Sequence, residues 1–180
     1  MRMVYKGKFS TIIEETAKTK NGGKYKYAVT IGNRIAAVLP VFSDGSILLE
    51  RQYRHAIRRW IYEIPAGHVE HGEGLEHAAR RELEEETGYT AAKLGKLYKA
   101  FENPAGKRNP MHVFLATGLR KGRKCLEESE RIAIRRVSLQ EALAMIKANK
   151  IMDMKSISAI LFYSCLVNNT EKSNRVRAES

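Results

Sequence analysis

The sequence predicts an α/β (α+β) fold, a sandwich of helices and strands, with the first thirty or so residues forming a small separate sheet. Three observations lead to this prediction. The first 65 residues contain short alternating apolar stretches separated by turn signals. The pattern becomes helical over 75–87, and beyond Gly88 more strands are followed by two helices.

The strands of the first part are bounded by turn residues. Alternation over 6–15 leads to Lys20-Asn-Gly-Gly-Lys24, a hairpin signal because Asn-Gly and Gly-Gly tolerate positive φ. Further strands are predicted over 25–31, 34–42, 47–53 and 60–64. Trp60 and Tyr62 alternate along the last of these strands, which favours a place in the core over stacking on a base.

The remaining elements have cap signals at their ends. Gly88 is placed to cap a helix over 75–87. Ser138, with Glu141 three residues later, opens a helix that reaches about residue 149. The other predicted elements are strands over 92–101, 111–117 and 131–137 and a last helix over 155–167. We expect a frayed, flexible tail over 169–180.

Composition narrows the class of protein before any motif is considered. With 180 residues, 43% of them hydrophobic, the chain can bury a core without disulfides. Two cysteines, no signal-peptide pattern and no apolar run long enough for a bilayer lead us to expect a soluble cytoplasmic protein. The net charge of +12 favours anionic partners, without choosing among phosphorylated metabolites, nucleic acid and membrane surfaces.

The predicted helix 75–87 has acidic residues where apolar ones are expected. At about 100° per residue, Glu82 and Glu86 fall inside its apolar stripe and Glu85 borders it. Burying unpaired carboxylates costs several kcal/mol each, so a cation must compensate. Arginine or lysine could do so, and clustered oxygen donors also suit hard divalent cations such as Mg²⁺. The alternative is a solvated acidic helix surface.

The spacing around this helix resembles the Nudix box. Gly67 is followed after five residues by Glu73 and, after seven more, by 81–89 with the sequence Arg-Glu-Leu-Glu-Glu-Glu-Thr-Gly-Tyr. Because every specified position matches, the chain is identified as a member of the Nudix hydrolases. The resemblance implies an α/β/α sandwich with a mixed sheet.

The resemblance also implies roles for residues in and beside the box. In the family, a loop–helix–loop places three carboxylates on Mg²⁺ or Mn²⁺ bound to a diphosphate; here they are Glu82, Glu85 and Glu86. In the family, the residues that match Arg81 and Glu73 mostly orient these carboxylates. The alternative is that Arg81 and Glu73 form a plain surface ion pair. Ala66 matches a position whose backbone carbonyl binds a metal in the sugar-diphosphate branch. Metals neutralise the diphosphate, acidify a bound water and align attack with departure of the other phosphate.

Segments outside the box resemble the ADP-ribose pyrophosphatase branch. They are 48–54 (Leu-Leu-Glu-Arg-Gln-Tyr-Arg), 60–67 (Trp-Ile-Tyr-Glu-Ile-Pro-Ala-Gly) and 151–157. Pro104 lies sixteen residues beyond Gly88, the offset associated with ADP-ribose hydrolysis. The resemblance implies that Arg54 approaches the substrate phosphates, a surface salt bridge being the alternative. Glu63 either contributes to the substrate site or pairs with a neighbouring arginine.

The same resemblance implies a domain organisation. Residues 1–35 form the N-terminal sheet, which in this branch helps to build a domain-swapped homodimer. Residues 36–168 form the Nudix hydrolase domain, and 169–180 the tail.

The loop 104–110 departs from the pattern of this branch. ADP-ribose hydrolases usually have an acidic loop here, whose glutamate acts as the general base. The loop in this chain has no acid, and Lys107 and Arg108 cannot accept a proton at neutral pH, although they could bind additional phosphate. Three candidates remain, namely Glu85, Glu102 and a metal-bound hydroxide without a separate base. We favour Glu85, because it lies beside the metals.

The sequence thus supports one leading function and two alternatives. The leading one is Mg²⁺-dependent hydrolysis of a nucleoside diphosphate sugar, ADP-ribose first, giving AMP and ribose 5-phosphate. A second is attack on the 5′ end of RNA or on dinucleoside polyphosphates, which the charge of +12 would suit. A third is a non-catalytic Nudix module that binds nucleotide or nucleic acid, against which the intact box argues.

Overall fold

A small antiparallel sheet forms the N-terminal end of the chain. Its strands, in spatial order, are β1 (Arg2–Lys6), β2 (Ser10–Lys18) and β3 (Lys24–Gly32). The predicted hairpin joins β2 to β3, and Gly22 in its turn has φ 79°. The computed structural model describes residues 1–7, 10–126 and 131–178, with side chains up to 169, so positions 8–9 of the strand predicted over 6–15 lie outside the described residues.

A mixed sheet of four strands forms the centre of the main domain. Its strands are β4 (Ile35–Pro40), β7 (Ala66–His68), β8 (Tyr89–Ala100) and β9 (Met111–Lys121), in the spatial order β7-β4-β9-β8. β4 and β9 are parallel, whereas β7 and β8 are antiparallel to their neighbours. This confirms the mixed sheet.

A second sheet of three antiparallel strands completes the domain. It contains β5 (Ile47–Arg54), β6 (Arg59–Glu63) and β10 (Ile132–Val137), with β5 in the middle. β5 and β6 form a hairpin in which Glu50 lies opposite Glu63 and Arg54 opposite Arg59. The end of β6 therefore lies near the start of β7.

Three helices cover the described part of the main domain, namely α1 (Leu75–Thr87), α2 (Leu139–Lys147) and α3 (Met154–Ala178). Gly88 ends α1 with φ 73°, as predicted, and the Glu141 amide donates to the Ser138 side chain at the start of α2. Helix α3 continues well beyond the predicted end at residue 167. No helix in the described residues is both long and apolar enough to cross a membrane.

The strand β4 has two buried faces, which explains its continuous apolar sequence. Ala36 and Val38 pack towards α1, in a cluster with Ala78, Ala79, Leu83 and Phe114. Ala37 and Leu39 point the other way, into a cluster with Met145, Ile151 and Ile160 from α2, α3 and the segment between them. Helices therefore lie on both sides of the central sheet, which confirms the α/β/α sandwich. Helix α1 is held against β4 and β7 by this packing.

Candidate active site

Helix α1 turns two carboxylates towards the protein, as the helical wheel predicts. Glu82 and Glu86 are 8% and 3% exposed, among alanine and leucine side chains that pack on the sheet. Glu85 lies at the edge of this face, and its side chain is 41% exposed. The solvated-surface alternative is therefore wrong for Glu82 and Glu86.

Arg81 lies between the carboxylates of the helix and the loop before it. One guanidinium nitrogen donates to Glu82 Oε1 at 2.8 Å and to Glu85 Oε2 at 2.9 Å. Its Nε donates to Glu73 Oε1 at 3.0 Å, and its other terminal nitrogen to the His68 carbonyl at 3.0 Å. The hydrogen bond to Glu73 raises the pKa of Arg81, with Glu82 and Glu85 adding to the effect against burial. Arg81 therefore stays charged and orients the acidic cluster.

Glu73 fixes the loop that leads into α1. Its carboxylate accepts hydrogen bonds from Arg81, from the Glu70 amide at 2.9 Å and from the His77 ring at 2.8 Å. These bonds, the one from Arg81 first, lower the pKa of Glu73 to about 2 although burial opposes the shift. Its side chain is 8% exposed, so this is more than a plain surface ion pair.

The strand β7 passes directly beneath the carboxylates of α1. The Ala66 amide donates to Glu86 Oε2 at 2.9 Å. A Cβ atom at Gly67 would lie 2.0 Å from Glu82 Oε1, so only glycine lets the backbone approach the carboxylate this closely. The β7 backbone thus accounts for the box glycine, although the strand itself is absent from the sequence-based prediction.

A cavity of about 680 Å³ joins this cluster to the β5–β6 hairpin. One wall holds Glu82, Glu86, Ala66 and Gly67. Other lining residues include Arg54, Glu63, Glu102, Asp153 and Lys155. Glu85 does not line it among the described residues, because its carboxylate turns to Arg81.

Arg54 and Glu63 form a two-point ion pair at the cavity. Arg54 Nε donates to Glu63 Oε1 at 2.6 Å, and a terminal nitrogen donates to Oε2 at 2.8 Å. Burial raises the pKa of Glu63, but Arg54 and Lys155 outweigh it and the net shift is downward. Of the two roles that the sequence left open for Glu63, pairing with arginine is the one seen; the Arg54 side chain is still 39% exposed.

The basic loop 104–110 contacts the N-terminal sheet. Arg108 donates to Glu15 Oε2 at 2.7 Å, and the Thr30 amide donates to the Gly106 carbonyl at 2.8 Å. Lys107 pairs with Glu102. Pro104 and Arg108 line a separate cavity of about 300 Å³, so the structure does not bring them together with the carboxylates of α1.

Sequence reasoning missed Asp153 and Lys155 and misplaced Trp60. Lys155 is 8% exposed at the first turn of α3, where it contacts Glu63 and lies 3.0 Å from Asp153. The available signal was a helix cap, because the Asp153 side chain accepts from the Ser156 amide at 2.9 Å. Trp60 is 44% exposed, with the Arg51 guanidinium 5.2 Å from its ring centre, so its prediction as a core residue is wrong.

In this α/β/α sandwich, helix α1 turns Glu82 and Glu86 inward, above the strand that contains Gly67. This is the arrangement of a Nudix hydrolase. The comparison with known families agrees, since the NUDIX domain matches residues 32–156. The chain belongs to the Nudix family.

Its relatives include pyrophosphatases. The ADP-ribose pyrophosphatase of Bacillus subtilis is 36% identical over 161 residues, which cover 88% of this chain and 87% of that protein. The methanol dehydrogenase activator of Bacillus methanolicus is 30% identical with the same coverage. A crystal structure of an ADP compounds hydrolase has a TM-score of 0.84, covers 94% of this chain and 92% of its own, and is 21% identical, which shows a shared fold. The predicted resemblance to ADP-ribose pyrophosphatases is confirmed.

The residues of the cavity fit a hard divalent cation in their chemistry. Glu82 and Glu86 present carboxylate oxygens one turn apart, the donors that Mg²⁺ prefers. Within the described residues, no three Asp, Glu, His or Cys side chains form a ready-made metal cluster.

Proposed function

We propose that the protein hydrolyses the diphosphate linkage of a nucleoside diphosphate joined to a second moiety. ADP-ribose is the first candidate, with AMP and ribose 5-phosphate as products. The relatives support this choice, because the pyrophosphatase of Bacillus subtilis matches almost the whole chain. The departures in loop 104–110 concern the base and leave the diphosphate chemistry unchanged.

One observation supports the proposal most strongly. Buried carboxylates and a guanidinium line the same cavity, with Glu82 and Glu86 on α1 and Arg54 at the end of β5. A diphosphate needs a cationic environment for its oxygens, and an arginine fork suits phosphate geometry. The volume of about 680 Å³ is in the range of small-molecule sites.

Each residue of the cavity has a part in the proposed mechanism. Glu82, Glu86, Glu85 and the Ala66 carbonyl would hold Mg²⁺ or Mn²⁺, which when bound neutralises diphosphate oxygens and activates water. Arg81 and Glu73 keep the carboxylates oriented. Arg54 binds the diphosphate, and Glu63 holds Arg54. Lys107 contacts Glu102 at the cavity and could bind additional phosphate, whereas Pro104 and Arg108 line a separate cavity and are given no part in the reaction.

We propose that Glu85 accepts the proton of the attacking water, because its exposed side chain borders the acidic face of α1. Glu102 lines the cavity, but Lys107 contacts its carboxylate. Glu85 accepts from Arg81, whereas Glu102 contacts Lys107. Substituting each glutamate in turn can therefore distinguish their roles in proton transfer.

The proposed assembly is a homodimer built through the N-terminal sheet. The proposed partner of the site is a small nucleoside diphosphate sugar in the cytoplasm, with nucleic acid less favoured. A polynucleotide would need many phosphate contacts, and its binding would weaken steeply with salt.

A substrate panel tests the function. ADP-ribose, other nucleoside diphosphate sugars, dinucleoside polyphosphates and 5′-triphosphorylated RNA are each incubated with Mg²⁺ and with Mn²⁺, and both products are identified. We expect ADP-ribose to give AMP and ribose 5-phosphate at the highest kcat/KM. Preference for RNA ends or polyphosphates would replace the proposed substrate, and no hydrolysis at all would favour a binding module.

A further inference from the structure

The direction of Arg54 depends on Glu63. Both hydrogen bonds that orient the guanidinium go to this one carboxylate, at 2.6 and 2.8 Å. The Glu63 side chain is 2% exposed, so water cannot hold it in place. A carboxylate that is this far from solvent needs well-placed cations on both of its oxygens.

Lys155 is the second cation on Glu63. Its Nζ contacts Glu63 Oε2, the oxygen that also accepts from Arg54, and lies 3.0 Å from Asp153 Oδ2. Burial lowers the pKa of Lys155, but Glu63 and Asp153 raise it by more. Lys155 therefore stays charged, and its charge offsets one of the two carboxylates.

The backbone around Lys155 is fixed to the end of β6. Asp153 Oδ2 accepts from the Ser156 amide at 2.9 Å and from the Ser156 hydroxyl at 2.5 Å. The Ser156 oxygen in turn accepts from the Ile64 amide at 2.8 Å, next to Glu63 in the chain. These hydrogen bonds therefore fix the position of the first turn of α3 relative to the strand that carries Glu63.

We propose that Lys155 is a positioning residue that orients Arg54 towards the diphosphate by holding Glu63, an inference that rests on the proposed function. Without Lys155, Glu63 keeps its contact with Arg54 but loses its second cation, and Asp153 loses its ion pair, so the angle of the Glu63 carboxylate towards Arg54 is less fixed. With Lys155 present, Glu63 has a second cation, so the guanidinium of Arg54 can also bind the phosphate oxygens of the substrate. The contact is buried, so salt screens it little.

The first experiment needs no substrate. The Arg54 Nε–H group donates at 2.6 Å, so we expect a shifted, slowly exchanging signal in a ¹H–¹⁵N spectrum, assigned by its loss in Arg54→Lys. Lys155→Met should move or broaden this signal, and Lys155→Arg, which keeps the charge, should move it less. Met154→Ala is the control, because Met154 is the chain neighbour of Lys155 in the first turn of α3 and is 61% exposed. An Arg54 signal that Lys155→Met leaves unchanged would overturn the proposal.

The second experiment measures the coupling between Lys155 and Arg54 by a double-mutant cycle, with hydrolysis of ADP-ribose in the presence of Mg²⁺ as the readout. Lys155→Met should raise KM about tenfold with a smaller change in kcat, because it weakens binding by Arg54. The double variant with Arg54→Lys should be no worse than the more damaging single change, since both act through Glu63. The control Met154→Ala should leave KM and kcat nearly unchanged, both alone and in combination with Arg54→Lys.

The outcomes separate this proposal from the function itself. Multiplying losses for Lys155→Met and Arg54→Lys would show a merely structural role for Lys155. If Lys155→Met does not fold, Lys155→Arg provides the same cycle, with the same result expected at smaller amplitude. If the wild-type protein cleaves no substrate of the panel, the proposed function fails, whereas the Arg54 signal still decides whether Lys155 orients that side chain.

Discussion

Glu82 and Glu86 are buried where a helix of this kind would ordinarily place leucine or alanine. Carboxylates removed from water cost several kcal/mol unless they are paired or hydrogen-bonded. Here Arg81 donates to Glu82 and the Ala66 amide donates to Glu86. These bonds hold the acids in the cavity wall, where the proposed function needs them to hold a metal. Stability and the proposed catalysis therefore depend on the same contacts.

Gly67, which lies beneath these carboxylates, allows a prediction about the effect of adding a single Cβ atom. A Cβ at position 67 would overlap the Glu82 carboxylate, which must then move from its place beside Arg81. We therefore expect Gly67→Ala to lower the thermal midpoint, because a buried carboxylate loses its hydrogen bond, and to lose about 100-fold in kcat, because the carboxylate is displaced by about an ångström. The matched control is Gly95→Ala in β8, where nothing lies within 4 Å of the added atom. Equal activities of the two variants would contradict the role of Gly67.

The identity of the proton acceptor is a second prediction for single residues. At saturating Mg²⁺, we expect Glu85→Gln to lower kcat by about 10²–10⁴-fold and to remove the acidic limb of the pH–rate profile. Glu102→Gln should keep that limb. If Glu102→Gln loses the limb and most of the turnover while Glu85→Gln retains both, the assignment to Glu85 is wrong. Unchanged profiles in both variants would mean that no protein base is needed.

Among the elements, α1 depends on the loop before it. Glu73 holds Arg81 from one side, and Arg81 holds Glu82 and Glu85 from the other. The loop and the helix therefore form one unit, in which a carboxylate outside the helix determines the direction of those inside it.

This unit predicts a dependence of stability on pH. The pKa of Glu73 falls from about 4.5 to about 2 in the folded state, so its contribution is complete above about 4.5 and is lost as the pH falls through about 2. The thermal midpoint of Glu73→Gln should therefore lie below that of the wild type at pH 6, and the gap should close between pH 4.5 and pH 2. Thermal unfolding followed by circular dichroism measures it. A gap that is constant down to pH 2 would show that Glu73 is not held in its ionised form.

Local patterns determined how far the sequence could predict these elements. The helix wheel placed Glu82 and Glu86 inward, and Gly88 and Ser138 marked helix ends, because these signals involve residues within two turns of each other. β7 was missed because three residues show no periodicity, and their strand character comes from pairing with β4. The Lys155–Glu63 pair was missed because it joins residues that are 92 positions apart.

Two further predictions differ from the structure. Trp60 alternates with core residues in sequence, but its ring lies on a sheet face where Arg51 and Tyr53 cover it only in part. Helix α3 continues to Ala178 where a tail was expected, since the polar sequence after 167 suggested an end. For Trp60, packing across the sheet decides the outcome, and periodicity within the strand does not report it.

At the scale of the whole molecule, the N-terminal sheet projects apolar side chains to the surface. All of β1 is exposed, and Met3, Val4 and Tyr5 are each more than half exposed. Strands with such a surface are typical of an interface between chains. The Arg108–Glu15 pair also ties this sheet to the loop 104–110.

We therefore predict a homodimer. Light scattering at micromolar concentration should give about twice the chain mass of 20.4 kDa. Val4→Glu should shift the protein towards the monomer, because it places a charge in the proposed interface. Leu161→Glu, on the exposed apolar surface of α3, is the control and should leave the mass unchanged. A wild-type mass near 20.4 kDa, or dissociation by Leu161→Glu alone, would contradict an interface at the N-terminal sheet.

The central claim is that the buried carboxylates of α1 support metal-dependent cleavage of a diphosphate. The most direct test compares wild-type protein with Glu86→Gln, measuring the initial rate of AMP release from ADP-ribose as Mg²⁺ is titrated and then removed with EDTA. We expect the wild type to lose its activity with the metal. Glu86→Gln should retain its circular dichroism spectrum while losing at least about 10³-fold in kcat at saturating Mg²⁺. Full activity of the wild type after removal of metal, or a Glu86→Gln variant as active as the wild type, would contradict the account.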